Sequence, residues 1–285
     1  MKVIRKADEL RQWSAAVRAE GRSLGFVPTM GALHAGHISL VDRARGENDF
    51  VAVSVFVNPT QFNNPDDLRT YPRTEEADLQ KLEAAGVDVA FVPTVEEMYP
   101  EPDTRVFDLG PVASVMEGKM RPGHFNGVAQ VVSRLFDMSA PTRAYFGEKD
   151  FQQIAVIRKM VELEGGFDGL EIIDVPIKRE DDGLAMSSRN VRLTPAMRAA
   201  APEIHKALAK GVEYARTHGV AETTDYVVGL VNGVEGLETE YFQIVDGLTC
   251  LPIEQWGESA APVGCITVYA GDVRLIDNIK FEPQC

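Results

Sequence analysis

The sequence predicts an α/β protein in which a mainly parallel sheet is followed by a smaller C-terminal α+β domain. Three observations lead there. Short apolar runs alternate with segments whose apolar residues recur at helical spacing, the signature of consecutive β-α-β units. One run, residues 50–57, shows no polar alternation, as a strand covered on both faces requires. After Ile177 the alternation stops, and a polar loop, an alanine-rich helical stretch and late strands take its place.

Taken in order, a helix is expected over 7–20, a strand over 24–28 and a helix over 36–45, before the central strand 50–57. Residues 74–85 read as a helix opened by a Thr74 cap, with Glu75 and Glu76 suiting its positive end. Strands over 87–92, 143–146 and 170–177 alternate with helices over 127–138 and 151–164. Thr194-Pro195 is a cap followed by proline at the first helical position, opening one long helix to about His218. A helix near 223–232, a strand near 239–245 and a hairpin of 265–269 with 273–277 about Ala270-Gly271-Asp272 complete the chain. The expected division is a Rossmann-like domain over 1–178 and a smaller C-terminal lid domain over 179–285.

The chain has 285 residues, 45% hydrophobic and 25% charged, which excludes disordered, collagen-like and coiled-coil classes. With 43 acidic and 29 basic residues the net charge is −14, which argues against a nucleic-acid partner. The excess acid is concentrated over 75–108, where ten acidic residues face only Lys81 and Arg105. A solvated acidic face is the expectation for that stretch, and the rest of 1–178 is close to neutral and can take a small anion. Cys250, Cys265 and Cys285 fall late, without C-x-x-C spacing, and read as free thiols in a reducing compartment. Residues 1–10 lack the apolar core of a signal peptide, and residues 50–57 are far too short to span a membrane. The expectation is a cytoplasmic protein with no membrane association.

The most informative segment is Phe26-Val-Pro-Thr-Met-Gly-Ala-Leu-His-Ala-Gly-His-Ile-Ser-Leu40. A strand ends at Pro28, glycine permits a tight turn, and His34 and His37 stand three apart where a helix begins. Residues at that spacing lie on one side, beside unpaired backbone N–H groups and the positive end of the helix dipole. Imidazoles there can donate to phosphate oxygens and stabilise charge building on an α-phosphate. Capping of the helix start is the simpler role for the same pair, and a zinc site lacks a third ligand in a recognisable pattern. Phe56-Val-Asn-Pro-Thr-Gln-Phe62 puts Asn58 and Gln61 at the carboxyl end of the central strand, where open parallel sheets bind ligands. Gly147-Glu-Lys-Asp-Phe-Gln-Gln153 follows a strand in the same way: Lys149 can neutralise phosphate, Asp150 can hold a ribose hydroxyl or Lys149 itself, and Gln153 can donate to a carboxylate or hydroxyl. Met186-Ser-Ser-Arg-Asn190 offers two hydroxyls and a guanidinium in a loop that can close over phosphates.

The His-x-Gly-His segment resembles the signature of the nucleotidyltransferase superfamily, and Met186 to Asn190 stand where that superfamily has its Lys-Met-Ser-Lys-Ser loop. With Tyr71-Pro-Arg-Thr74, Arg121-Pro-Gly-His-Phe125, Asp182-Gly-Leu-Ala-Met-Ser-Ser-Arg-Asn190 and Arg274-Leu-Ile-Asp-Asn278, the ordered set resembles the pantothenate synthetase (pantoate–β-alanine ligase) family over nearly the whole chain. The resemblance implies condensation of pantoate with β-alanine, consuming ATP and releasing AMP and pyrophosphate through a pantoyl adenylate. It implies that Met30, Gly31, Ala32, Leu33, His34, Ala35, Gly36 and His37 bind ATP, with His37 the proton donor. Gln61 and Gln153 would hold pantoate, Gln61 lying near β-alanine, and Gly147, Glu148, Lys149, Asp150 and the Lys178 backbone would contact adenosine. Met186, Ser187, Ser188 and Arg189 would hold the phosphates. Mg²⁺ would bridge phosphate oxygens chiefly through water, with Asp78 an outer contact; Ala77 falls where some relatives have an acid. The Arg121 to Phe125 segment is expected either to bring Arg121 near phosphate or to form a structural loop at a dimer contact or lid, and Tyr71 to Thr74 to brace a helix start. A homodimer is implied too. The alternatives are adenylylation of a phosphate acceptor, an aminoacyl-tRNA synthetase fragment disfavoured by the charge, and a nucleotide-binding regulator that has lost turnover.

Overall fold

In the computed structural model, which describes residues 1–282, six strands form one parallel sheet: β1 (Lys2–Ile4), β2 (Leu24–Thr29), β3 (Phe50–Val55), β4 (Val89–Phe91), β5 (Arg143–Gly147) and β6 (Glu171–Val175). Their order is β1-β4-β3-β2-β5-β6. The chain works outward from β2 through β3 to β4, then returns to lay β5 on the other side of β2. That reversal makes the carboxyl ends of β2 and β5 the switch point at which such sheets take ligands. Five strands were legible as apolar runs; β1, three residues long, carries too little pattern to be read.

One face of this sheet packs Val27, Val51, Val53, Val55 and Tyr145 against Leu40, Val41 and Ala44 of helix Ala35–Glu47 and Leu82 of helix Glu75–Ala84. Helices Ala7–Ala19 and His124–Ser139 pack together and against β2, and Phe136 meets Phe146 of β5 edge-on. Side chains alternate across a strand, so Phe26 and Val27, both fully buried, serve opposite faces.

The chain divides into two compact units, and the division is not continuous in sequence. The first comprises 1–110, 121–148 and 156–176; the second comprises 111–120, 149–155 and 177–285. In the second, an antiparallel sheet of β7 (Leu237–Asp246), β8 (Pro262–Ala270) and β9 (Val273–Lys280) packs with helices Glu203–Ala215 and Val220–Asn232. Segment 111–120 joins this unit through Glu117. Its carboxylate accepts both Arg274 Nη1 at 2.8 Å and Arg274 Nη2 at 2.6 Å, Tyr241 Oη at 2.8 Å and Thr267 Oγ1 at 3.1 Å. The Gln152 side chain accepts from the Glu117 backbone N–H and donates to the carbonyls of Val112 and Val115, which fixes 149–155 to the same segment.

Three local expectations are corrected. The single helix from Pro195 is two, Pro195–Ala200 and Glu203–Ala215, because Pro202 has no N–H to continue the ladder; Thr194 does cap the first, accepting from Met197 N at 3.2 Å. Thr74 stands before helix Glu75–Ala84 but makes no capping bond, its hydroxyl donating instead to Asp78. The acidic stretch is not uniformly a solvated face. Asp78 is fully buried, and the Asp103 side chain, 2% exposed, accepts from Arg105 at 2.7 Å and Arg134 at 2.8 Å. Cys250 and Cys265 are free and buried, and burial pushes the Cys250 thiol up to about 12 and Cys265 well above its usual value, so neither supplies a thiolate. Cys285 lies outside the described residues. No helix among the described residues is long and apolar enough to cross a membrane.

The Asp103 cluster yields a pH prediction. Hydrogen bonds from Arg105 and then Arg134 hold its carboxyl well below the usual range. A depressed folded-state pKa contributes stability that is complete above the unfolded value of about 4 and fades as pH falls below it. The gap in melting temperature between the natural chain and Asp103→Asn should therefore be constant from about pH 7 to 5 and shrink below about pH 4. A gap that widened on acidification would contradict the assignment.

Candidate active site

The turn after β2 is built around a buried carboxylate. Gly31 and Ala32 both have positive φ, +77° and +50°, and a Cβ on Gly31 would meet Asp78 Oδ2 at 3.1 Å and Val55 Cγ1 at 3.2 Å. Glycine suits the first position, whereas Ala32 adopts a conformation that L side chains rarely hold. Asp78 holds it there: Oδ2 accepts from Ala32 N at 2.8 Å and Oδ1 from Leu33 N at 2.7 Å. Three residues on, along the same helix, Lys81 Nζ donates to the Leu33 carbonyl at 2.6 Å.

This turn delivers His34 to the cap of helix Ala35–Glu47. His34 Nδ1 accepts from Gly36 N at 3.1 Å, and His37 Nδ1 accepts from His34 N at 3.2 Å, a reciprocal capping box made of imidazoles. Capping and phosphate binding, set against each other in the sequence, are therefore compatible. A neutral ring whose Nδ1 accepts must carry its hydrogen on Nε2. Both rings, 4.1 Å apart by centroid, thus offer Nε2–H donors at a helix N-terminus.

Beside the carboxyl end of β3, Gln61 Nε2 lies 3.1 Å from Met30 Sδ. Asn58, 1% exposed, donates to Gln61 Oε1 and to the Gly127 carbonyl, each at 3.1 Å, and accepts from Tyr99 Oη at 2.8 Å. His124 donates from Nδ1 to the Gln61 carbonyl at 2.8 Å, which leaves its Nε2 to face Arg121 Nη1 at 3.1 Å. The Arg121 to Phe125 segment is thus a brace on Gln61. Helix His124–Ser139 comes so close that a Cβ on Gly127 would lie 2.4 Å from the Thr60 carbonyl oxygen. At the end of β5, Gly147 and Glu148 complete the candidates of the first unit.

The second unit holds Lys149, Asp150, Gln153, Lys178 and Met186 to Arg189. Lys149 Nζ lies 3.5 Å from Asp150 Oδ2, a long contact. Gln153 is half-buried and makes no side-chain hydrogen bond with the described residues, whereas the preceding Gln152 spends its whole amide on 112–117. The loop around Met186 to Arg189 is held by its own bonds: Met186 N donates to the Lys178 carbonyl at 3.0 Å, Arg179 and Ala185 form an antiparallel bridge, and Arg189 N donates to Ser187 Oγ at 3.2 Å.

Asp78, expected as an outer contact to Mg²⁺, is committed to the turn. Both oxygens already accept loop N–H groups and Oδ2 also takes Thr74 Oγ1, an arrangement that positions the turn rather than faces a metal ion. Among the described residues, no group of three or more His, Cys, Asp or Glu side chains converges on a metal site. Lys81, Tyr99 and His124 had no role assigned from sequence; Gly127, lacking a side chain on an otherwise apolar helix face, was the one available signal of close backbone approach.

The profile described as Pantoate-beta-alanine ligase matches residues 2–280. Pantothenate synthetase of Phocaeicola vulgatus is 56% identical over 282 residues, covering 99% of this chain and 100% of that protein. The crystal structure of pantothenate synthetase from Thermus thermophilus superposes with a TM-score of 0.92 at 47% identity, covering 99% and 100% of the two chains. That of pantoate-beta-alanine ligase from Francisella tularensis, complexed with beta-gamma ATP and beta-alanine, gives 0.81 at 36% identity, covering 98% and 97%.

The imidazole cap separates stability from chemistry. His34→Ala should cost about 1 kcal/mol in urea unfolding, the typical value of a lost N-cap, and His34→Asn should recover most of it because asparagine caps well. An Asn variant as unstable as the Ala variant would show that His34 does not cap.

Proposed function

Since the chain belongs to the pantoate-beta-alanine ligase family, and so joins pantoate to β-alanine with ATP through a pantoyl adenylate, we propose how its residues divide that work. The observation that carries the assignment is the paired imidazole cap, whose Nδ1 bonds fix two Nε2–H donors at one helix start. The pantoate carboxylate attacks the α-phosphorus of ATP and pyrophosphate leaves. Charge builds on the phosphate oxygens, and donors fixed beforehand stabilise it without reorganising. His34 and His37 supply those hydrogen bonds, with Met30 to Gly36 lining the nucleotide. Gly147 to Asp150 and the Lys178 backbone hold adenosine. Lys149, Ser187, Ser188 and Arg189 take the departing pyrophosphate.

Gln61 and Gln153 hold pantoate. Gln61 can do so because Asn58 and His124 fix its side chain and backbone separately, so little orientation is lost on binding. In the second step the β-alanine amine attacks the acyl carbonyl and AMP leaves; the mixed anhydride must be shielded from water until then. A Mg²⁺ would be carried by the ATP phosphates, since no cluster of carboxylates among the described residues would hold it directly, and it would supply charge neutralisation there. Asp78 does not fit as its direct ligand, for the reason its hydrogen bonds give. A homodimer and a cytoplasmic setting belong to the same reading; the free, buried thiols support the second.

Exchange of labelled pyrophosphate into ATP tests the scheme. It should require pantoate, and adding β-alanine should divert the intermediate to amide and AMP; a phosphate acceptor supporting turnover in place of pantoate would favour simple adenylyl transfer. His37→Ala should slow exchange by roughly 100- to 1000-fold, the scale of one lost oxyanion donor, in a protein that remains folded. Gln61→Ala should raise KM for pantoate more than that for ATP, and the reverse pattern would refute its placement.

A further inference from the structure

Two consecutive residues of β9 tie together the two phosphate-facing segments of the second unit. Asp277, 5% exposed, receives Arg179 in a forked pair, Nη1 to Oδ2 at 2.7 Å and Nη2 to Oδ1 at 2.9 Å. The same guanidinium donates to the carbonyls of Gly183 at 3.2 Å and Asn278 at 3.4 Å. Arg179 follows Lys178 directly, and its bridge to Ala185, with the Met186-to-Lys178 bond beside it, passes this fixed point into Met186 to Arg189. Asn278 donates from Nδ2 to the Lys149 carbonyl at 3.2 Å. Adjacent strand residues point to opposite faces, which is how neighbours in sequence reach two separate segments.

The join is itself stiff. Asn278 N donates to Asp277 Oδ1 at 2.7 Å, so the carboxylate is oriented from its own backbone as well as by Arg179. His205 Nδ1 lies 4.0 Å from Asp277 Oδ2 and makes no hydrogen bond, so it does not compete for the carboxylate. A planar guanidinium paired bidentately also resists rotation, which a lysine in its place would not.

We propose that Asp277 and Asn278 are positioning residues for adenylation, holding the Ser187 to Arg189 loop and Lys149 in one frame so that both bear on the ATP phosphates. The inference rests on the assignment of those two segments to ATP. Neither residue is given contact with substrate; each acts through Arg179 or through the Lys149 backbone. Because pyrophosphate departs in the first step, the frame matters more to adenylation than to attack of β-alanine on an adenylate already formed, which keeps only the adenosine contacts.

The two half-reactions separate this role from a purely structural one. Full-length Asp277→Asn, Arg179→Lys and Asn278→Ala would be compared with the natural chain in pantoate-dependent pyrophosphate exchange, and in amide formation from supplied pantoyl adenylate and β-alanine. Asp277→Asn should slow exchange by about 10- to 100-fold, with a raised KM for ATP, as expected when a catalytic group is displaced by an ångström or less. Arg179→Lys, which keeps the charge but loses the fork, should lose about 5-fold. Amide formation from the adenylate should lose clearly less than exchange in every variant, because Ser187 to Arg189 and the Lys149 ammonium are assigned to the pyrophosphate, which has left by then, and only the adenosine contacts are shared by both steps. Unchanged exchange, or equal losses in both half-reactions, would overturn the inference. If Asp277→Asn does not fold, Asn278→Ala, which leaves the ion pair in place, should show the same split, and its absence there would be equally decisive. Failure of the natural chain to exchange at all would instead remove the functional reading on which the proposal stands.

Discussion

Two backbone N–H groups donating to the Nδ1 atoms of His34 and His37 are the constraint on which the candidate site depends. A helix start needs acceptors for its unpaired N–H groups, and this one takes them from aromatic rings rather than from hydroxyls or carboxylates. The choice has a chemical result. A serine or aspartate would end its work at the cap, whereas an imidazole that accepts on one nitrogen presents a donor on the other. Local helix formation and the tautomer that places a hydrogen on Nε2 are the same event. Behind the rings, Asp78 and Lys81 grip the turn from one helix, the first by the N–H groups of Ala32 and Leu33 and the second by the Leu33 carbonyl.

An acidic chain that binds anionic substrates is reconciled by where its charges are spent. Asp78 and Asp103 lie within the stretch that reads as a solvated acidic face, yet each is consumed internally, by backbone amides or by Arg105 and Arg134. Glu117 is likewise taken up by Arg274. The net −14 therefore says little about the local charge at the turn after β2, where the Asp78 carboxylate is taken up by backbone N–H groups and the Lys81 ammonium sits on the Leu33 carbonyl.

Much of the fold was legible because its strands are continuous apolar runs, and the site because its segments follow strand ends in recognisable strings. What could not be read has specific causes. β1 is too short to show a period, and Pro202 sits within an alanine-rich pattern that overrode its breaking signal. Asp78 reads from the sequence as an outer contact to Mg²⁺, but its hold on the turn depends on a partner 45 residues away in the chain, which no local pattern encodes. The same holds for His124 on Gln61 and for Asp277 on Arg179, each pair set by strand order rather than by spacing. Gln152 and Gln153 are indistinguishable as letters; helical phase turns the first into the unit's interior and leaves the second half-buried, with no side-chain hydrogen bond to the described residues.

The discontinuous second unit bears on how such proteins can be cut and recombined. A boundary drawn near residue 178 looks like a clean seam in the sequence, yet Glu117 and Gln152 lie before it and are bonded within the later unit. A graft of 177–285 onto another scaffold would carry Arg274 while leaving its Glu117 partner behind, stranding a half-buried guanidinium against Glu240 alone. The smaller unit is not an exchangeable cassette, and its inheritance as one piece requires that 111–120 and 149–155 travel with it.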